Sequence, residues 1–431
     1  MRIPFFKKNT ASDTEDSANS FGFFDIFKKV GSLFDPAPQK EKVLRHEDFN
    51  AVGDTYYANV SVGYKITQRL LVLLLVLFLV FSLITNFREI TYDNFFYLIK
   101  DFLSAVDIES SNYDTVSYNS DSRHFFALFR GGLAVVDPSK ISAFTATGRL
   151  TLQASSQFSA PSVKCSEKYF VIYDTAGTSF SVYNSFSRIY SEAFDYPITD
   201  ACFSDNGYMA VVTRDISHKS MVHIYNKHFN RVFTVPSNKY ALNIAMNDQK
   251  MSICYYDIGD GSGKTEISIR TYDKMKEIAT ISIEGEFALT SGFLDEERFA
   301  VITDRSIRIY DKNYDEIELH DYSNSTVTGF DMNAHGASVA YTENSQNKVI
   351  VFDKSGNLLY NESVVDNVKD ISVYEQYVFL RTDVGVVRID ALNSKEQFLP
   401  SDQGKMLIYS ANTALVCGDS KAEYLVFVDN K

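Results

Sequence analysis

The hydrophobic pattern changes character twice along the 431-residue chain. Residues 70–87, LLVLLLVLFLVFSLITNF, carry no charge, and Leu70 to Phe81 is an unbroken apolar run. Eighteen helical residues at 1.5 Å each span about 27 Å, enough to cross a hydrocarbon core. A core helix of a soluble domain keeps a polar face, and this stretch has none. Lys65, Arg69 and Arg88 bracket it. The pattern predicts one transmembrane helix over 70–87. The run begins too late for a cleaved signal peptide and no small-residue cleavage pattern follows it, so the span stays as an anchor.

Before the span, residues 1–69 read as a mostly disordered tail, polar and acidic over 9–20 (NTASDTEDSANS). Within it, Phe23, Phe27, Val30 and Phe34 recur at helical spacing, with Lys28 and Lys29 off that face. This predicts a short basic amphipathic helix over 21–34, suited to lying against lipid headgroups. After the span, residues 88–109 read as a juxtamembrane helix and linker. Its helical part is DNFFYLIKDFLSA, 93–105.

Beyond residue 110 the texture becomes short alternating strands. One phrase recurs: an alternating apolar strand, an aromatic in most copies, then Asp or Asn. Its copies are GLAVVD, SFSVYN, MVHIYN, ISIRTYD, SIRIYD, KVIVFD, GVVRID and YLVFVD. They end at Asp137, Asn184, Asn226, Asp273, Asp311, Asp353, Asp390 and Asp429, a mean spacing of about 42 residues. A strand, a polar turn and a second strand precede each copy, and a further short strand follows. Four antiparallel strands per unit of this length make a propeller blade. A lone blade has two apolar faces, and radial stacking buries them. The fold class is therefore all-β: a β-propeller over 110–431 of eight blades, or seven if an end copy is irregular. The Asp or Asn starts the turn from third to fourth strand and accepts backbone N–H groups there. The aromatic packs between blades. The last copy, 406–431, supplies three strands, so a fourth must come from the other end of the domain, with AVDIES near 105–110 as the expected donor.

This period and the aromatic–Asp ending resemble the WD40-like and quinoprotein-like propellers, without the Trp or the Gly-His opening of true WD40 repeats. The layout of residues 65–431 is similar to that of a family of single-pass membrane proteins from anaerobic Gram-positive bacteria. Those carry a propeller-like domain of unknown function. The resemblance implies a fold and a topology, and no catalytic residues.

Charge refines the picture. Residues 1–69 hold ten Lys+Arg against nine Asp+Glu, and residues 88–431 hold 32 against 46, a balance of −14. Lys7, Lys8, Lys28, Lys29, Lys40, Lys42 and Arg45 favour a cytoplasmic tail with the large domain outside the cell. An acidic domain excludes nucleic acid as partner and favours cationic ones.

Chemical motifs fall away one by one. GDGSGKT at 259–265 has three residues between Gly259 and Gly263, where a phosphate loop needs four, and no helix follows. Asp257, Asp260 and Glu266 lack calcium-loop spacing. His218, His223 and His228 share one blade, but only His223 lies on a strand, so they do not form a zinc set. Cys165, Cys202, Cys254 and Cys417 read as buried thiols, with Cys165–Cys202 the one conceivable disulfide. No catalytic, cofactor or metal residue is assigned. The expected function is a membrane-anchored propeller that binds or scaffolds a protein partner at the cell envelope. The alternative is an envelope hydrolase or lyase acting on glycans, with carboxylates at the propeller channel.

Overall fold

The structure is a computed structural model that describes residues 51–85, 115–118, 124–145, 147–259 and 263–428. It divides into two units, residues 1–87 and 88–431.

The first unit contains one helix, α1, Ala51–Thr85, 35 residues and about 52 Å long. Its 18-residue window Tyr64–Phe81 has a mean hydropathy of 2.0 and is wholly unburied, so α1 is long and apolar enough to cross a membrane. The helix starts nineteen residues before the charge-free run. Nothing between Ala51 and Gln68 breaks a helix: there is no proline, and two isolated glycines cost only about 1 kcal/mol each. The stretches 21–34 and 93–105 lie outside the described residues.

The second unit is a ring of eight four-stranded antiparallel sheets. Seven blades are continuous in sequence: 125–155, 161–193, 198–237, 240–284, 288–321, 326–364 and 370–400. Blade eight takes three strands from 405–426 and its fourth from Val116–Ser117, paired as Val116↔Ala422 and Ser117↔Lys421. The donor strand thus lies later than AVDIES, which is outside the described residues. First strands touch in succession all the way round, blade eight meeting blade one. Fourth strands form the rim; Glu316, Ile317, Glu318 and Leu319 of blade five are all exposed.

The core is eight apolar clusters, one in each gap between neighbouring blades. Strand alternation explains this. In blade three, Val211 packs toward blade two, while Ala210 and Val212 pack toward blade four. The gap between blades eight and one is filled by Val116, Leu133, Val135, Leu415, Cys417 and Ala422, so the ring is shut by apolar contact as well as by pairing. The repeated aromatics sit where expected. Tyr183, Tyr225, Tyr272, Tyr310 and Phe352 each join the cluster facing the preceding blade.

The Asp/Asn turns of blades three, five and six share one geometry, and Asp429 lies outside the described residues. Asn226 Oδ1 accepts the N–H of His228 and Asn230, Asp311 Oδ1 those of Asn313 and Asp315, and Asp353 Oδ1 those of Ser355 and Asn357, at 2.8–3.1 Å. The third residue onward takes positive φ: Phe229 59°, Tyr314 66°, Gly356 83°. Blade one departs from the expectation. Asp137 ends its second strand and starts the turn to the third, accepting the N–H of Ser139 and Lys140. The equivalent position is Thr145, whose Oγ1 accepts the Arg149 N–H at 3.2 Å, with Gly148 at φ 75°. Its spacing to Asn184 is 39 residues, so the first 47-residue interval was one strand too long.

Candidate functional site

The first strands form the inner wall of the ring, and their free edges face the axis. Polar side chains of the first strands cover those edges. Asp200 of blade three accepts the Ile244 N–H of blade four at 3.0 Å, its own Ala201 N–H at 2.9 Å and the Tyr173 hydroxyl at 2.9 Å. Asp370 of blade seven does the same for Met406 of blade eight and for Ile371, both at 3.2 Å, and holds the Lys405 ammonium at 3.0 Å. Between blades four and five, Asn243 donates to the Ser291 carbonyl at 2.9 Å. Between blades six and seven, Asn333 donates to the Val373 carbonyl at 3.1 Å.

Two cavities open along this wall. The larger, about 790 Å³, is built from blades five to eight by Arg305, Ser325, Thr328, Phe330, Lys369 and neighbours. The smaller, about 380 Å³, is lined by Phe126, Asp331, Asn333, His335, Ser372 and Tyr374 among others. Asp370 and Lys405 belong to both walls, so their ion pair stands between the two spaces. In the smaller cavity, Asp331 Oδ2 accepts Ser372 Oγ at 2.6 Å and Asn333 Nδ2 at 2.9 Å. Burial nevertheless pushes the Asp331 carboxyl above the usual range, and Asp370 adds to the effect.

The larger cavity lies among loops that join second to third strands (304–305) and fourth to next first strands (322–325, 365–369). The same loop set exposes Ile216, Phe287, Val365 and Val384.

A family model, DUF5711, matches residues 107–414, well over half of the chain. The chain belongs to the DUF5711 family of unknown function. No curated protein matches its sequence. Among solved structures, Sqt1 of Saccharomyces cerevisiae is similar at a TM-score of 0.55 and 9% identity, covering 74% of this chain and 99% of that one. BamB of Moraxella catarrhalis follows at 0.50 and 10%, with the same two coverages. These likenesses show the β-propeller fold that the repeats predicted.

Within this DUF5711 domain the chemical motifs have structural places. Lys264 and Thr265 of GDGSGKT sit on the third strand of blade four, in a hairpin between Lys250–Asp257 and Lys264–Thr271. Lys264 faces Glu266 and Glu284, while Thr265 Oγ1 donates to the Glu286 carbonyl at 2.8 Å. Glu266 also pairs with Lys239. Asp260 lies outside the described residues. Among the described residues no three His, Cys, Asp or Glu converge to hold a metal. His223 is buried on its strand, with Nε2 3.1 Å from Thr213 Oγ1 and its ring stacked 4.5 Å from Phe194. His218 and His228 lie in the flanking loop and turn. All four cysteines are free, and burial pushes the thiols of Cys165, Cys254 and Cys417 up to about 12.

Sequence reasoning missed Asp200, Asp331, Asp370 and Lys405. A signal existed for two of them. Ile198–Ala201 (ITDA) and Val368–Ile371 (VKDI) are the same apolar–x–Asp–apolar opening of a first strand, four blades apart.

Proposed function

We propose that this protein is a single-pass membrane protein that displays its propeller outside the cell, as a binding or scaffolding module of the envelope. The observation that carries the binding role is the 790 Å³ cavity, assembled by four blades among a set of loops that also exposes Val365 and Val384. A concave site with a few placed polar groups is where propeller-sized modules take ligands and partner segments. The apolar window of α1 supports the anchor, and the basic residues ahead of it support a cytoplasmic N-terminus. The resemblance in layout supports a Gram-positive envelope as its setting.

Two experiments test this reading. Protease added to wall-stripped cells should degrade the domain after Arg88 and spare the tail; the reverse pattern overturns the orientation. A photo-crosslinking residue at Val384 should trap a partner that the same probe at Leu392, exposed among the turns on the other ring face, does not. Equal capture from both positions overturns the binding face.

One observation favours a second reading, an envelope hydrolase or lyase on glycans. Asp331, driven toward its protonated form beside Asp370, has the character of a general acid. That reading requires a glycan-cleaving activity that Asp331→Asn abolishes while the thermal midpoint stays within a few degrees.

A further inference from the structure

The wall of the larger cavity is unbalanced in its hydrogen-bonding capacity. Both of its carboxylates are already engaged. Asp370 is held by two backbone N–H groups and Lys405. Asp304 accepts the Phe287 N–H at 2.8 Å and lies 3.8 Å from Arg305 Nε. Its donors are not occupied to the same degree. Ser325 Oγ is buried and has no partner among the described residues. Among the described residues the Arg305 side chain makes only the long contact to Asp304, which leaves both terminal nitrogens of its fork for a ligand. Among the described residues the Lys369 ammonium reaches only Asp383, at 3.5 Å, and Lys405 has ammonium protons to spare beyond Asp370.

Charge points the same way. The cavity wall carries three cations against two carboxylates, inside a domain where acids outnumber bases by fourteen. Cations concentrated at a concave, partly apolar site act on a ligand more strongly than the same charges spread over a convex surface. Leu289, Val327 and the exposed ring of Phe330 supply the apolar part.

We propose that this cavity binds an oxyanion, a carboxylate or phosphate group, presented on a partly apolar molecule, with Arg305, Lys369 and Ser325 as its donors. The inference rests on the binding role proposed above and names what enters the site. It also reverses the expectation from overall charge: the domain surface suits cations, whereas this cavity suits an anion.

The test uses the full chain in maltoside micelles at fixed ionic strength. The probes are inorganic phosphate and acetyl-tetra-alanine with a free carboxylate, the amidated peptide serving as control. Saturable binding is read by equilibrium dialysis and by the rise in thermal midpoint with probe concentration. Wild-type protein should bind at least one anion with a Kd on the order of millimolar or tighter, and the amidated peptide should not bind. Arg305→Gln with Lys369→Gln, both at half-exposed side chains, should keep the unliganded midpoint and lose affinity by about tenfold or more. Phosphate alone binding assigns a phosphorylated ligand; the peptide alone assigns a chain terminus or acidic residue. Absence of saturable binding by either anion up to about 50 mM, or undiminished binding by the double variant, overturns the proposal. Continued partner capture at Val384 in that case leaves the scaffold reading standing.

Discussion

At the residue scale, polar side chains in this ring act chiefly as fasteners. Asp200 serves three donors on three blades. Replacing it by alanine strands the Ile244 N–H and the Tyr173 hydroxyl in a buried layer, and Asp200→Ala should cost about 1–3 kcal/mol in urea unfolding. His223 makes stability depend on pH. Burial, reinforced by Arg231, lowers its pKa to about 4 from an ordinary 6.5. The unfolded chain therefore takes up a proton that the folded chain refuses, and stability falls as pH drops from about 6.5 toward 4. At pH 5 the loss through this residue should be about 2 kcal/mol. Urea midpoints at pH 7 and pH 5 should converge in His223→Gln relative to wild type; an equal pH slope in both proteins would remove His223 as the cause. Alternation and turn chemistry made these strands legible in sequence, because period-two burial and Asx turns are local. The partners of the fasteners were not legible, because Asp200 and Ile244 meet only once two blades are docked.

At the scale of the element, the repeated turn explains both the success and the slip in reading the blades. Asn226, Asp311 and Asp353 each cap a turn whose third residue onward has positive φ. Thr145 performs the same work with a hydroxyl, so a search for Asp or Asn passed over it and settled on Asp137. The closing strand was expected because blade eight lacked a fourth strand, but its place was not fixed by pattern. Two residues carry too little periodicity to be found. Val116 is nonetheless fully buried. Val116→Asp places a charge in an apolar cluster with no partner and should cost about 3–5 kcal/mol, whereas Val384→Asp, on an exposed loop, should change the thermal midpoint by no more than a degree or two. Equal effects would mean that the two-residue strand does not hold the ring.

At the scale of the whole molecule, eight gaps of comparable apolar content make a structure without a weak seam. Leu415→Ala in the closing gap and Ile253→Ala between blades three and four should each cost about 2–5 kcal/mol. Each should lower one shared transition seen by both hydrogen exchange and circular dichroism. Separate transitions for the two halves of the ring would contradict a closed fold. Closure also sets a timetable for the chain during synthesis. Val116 leaves the ribosome 306 residues before Ala422, roughly 15–60 s earlier at 5–20 residues per second. Throughout that interval the first blade has no neighbour on one side, and Leu133 and Val135 stay uncovered. A nascent chain that stalls anywhere short of blade eight keeps that sticky face on display, which marks it for chaperones and proteases. Only a chain translated as far as Ala422 can hide it.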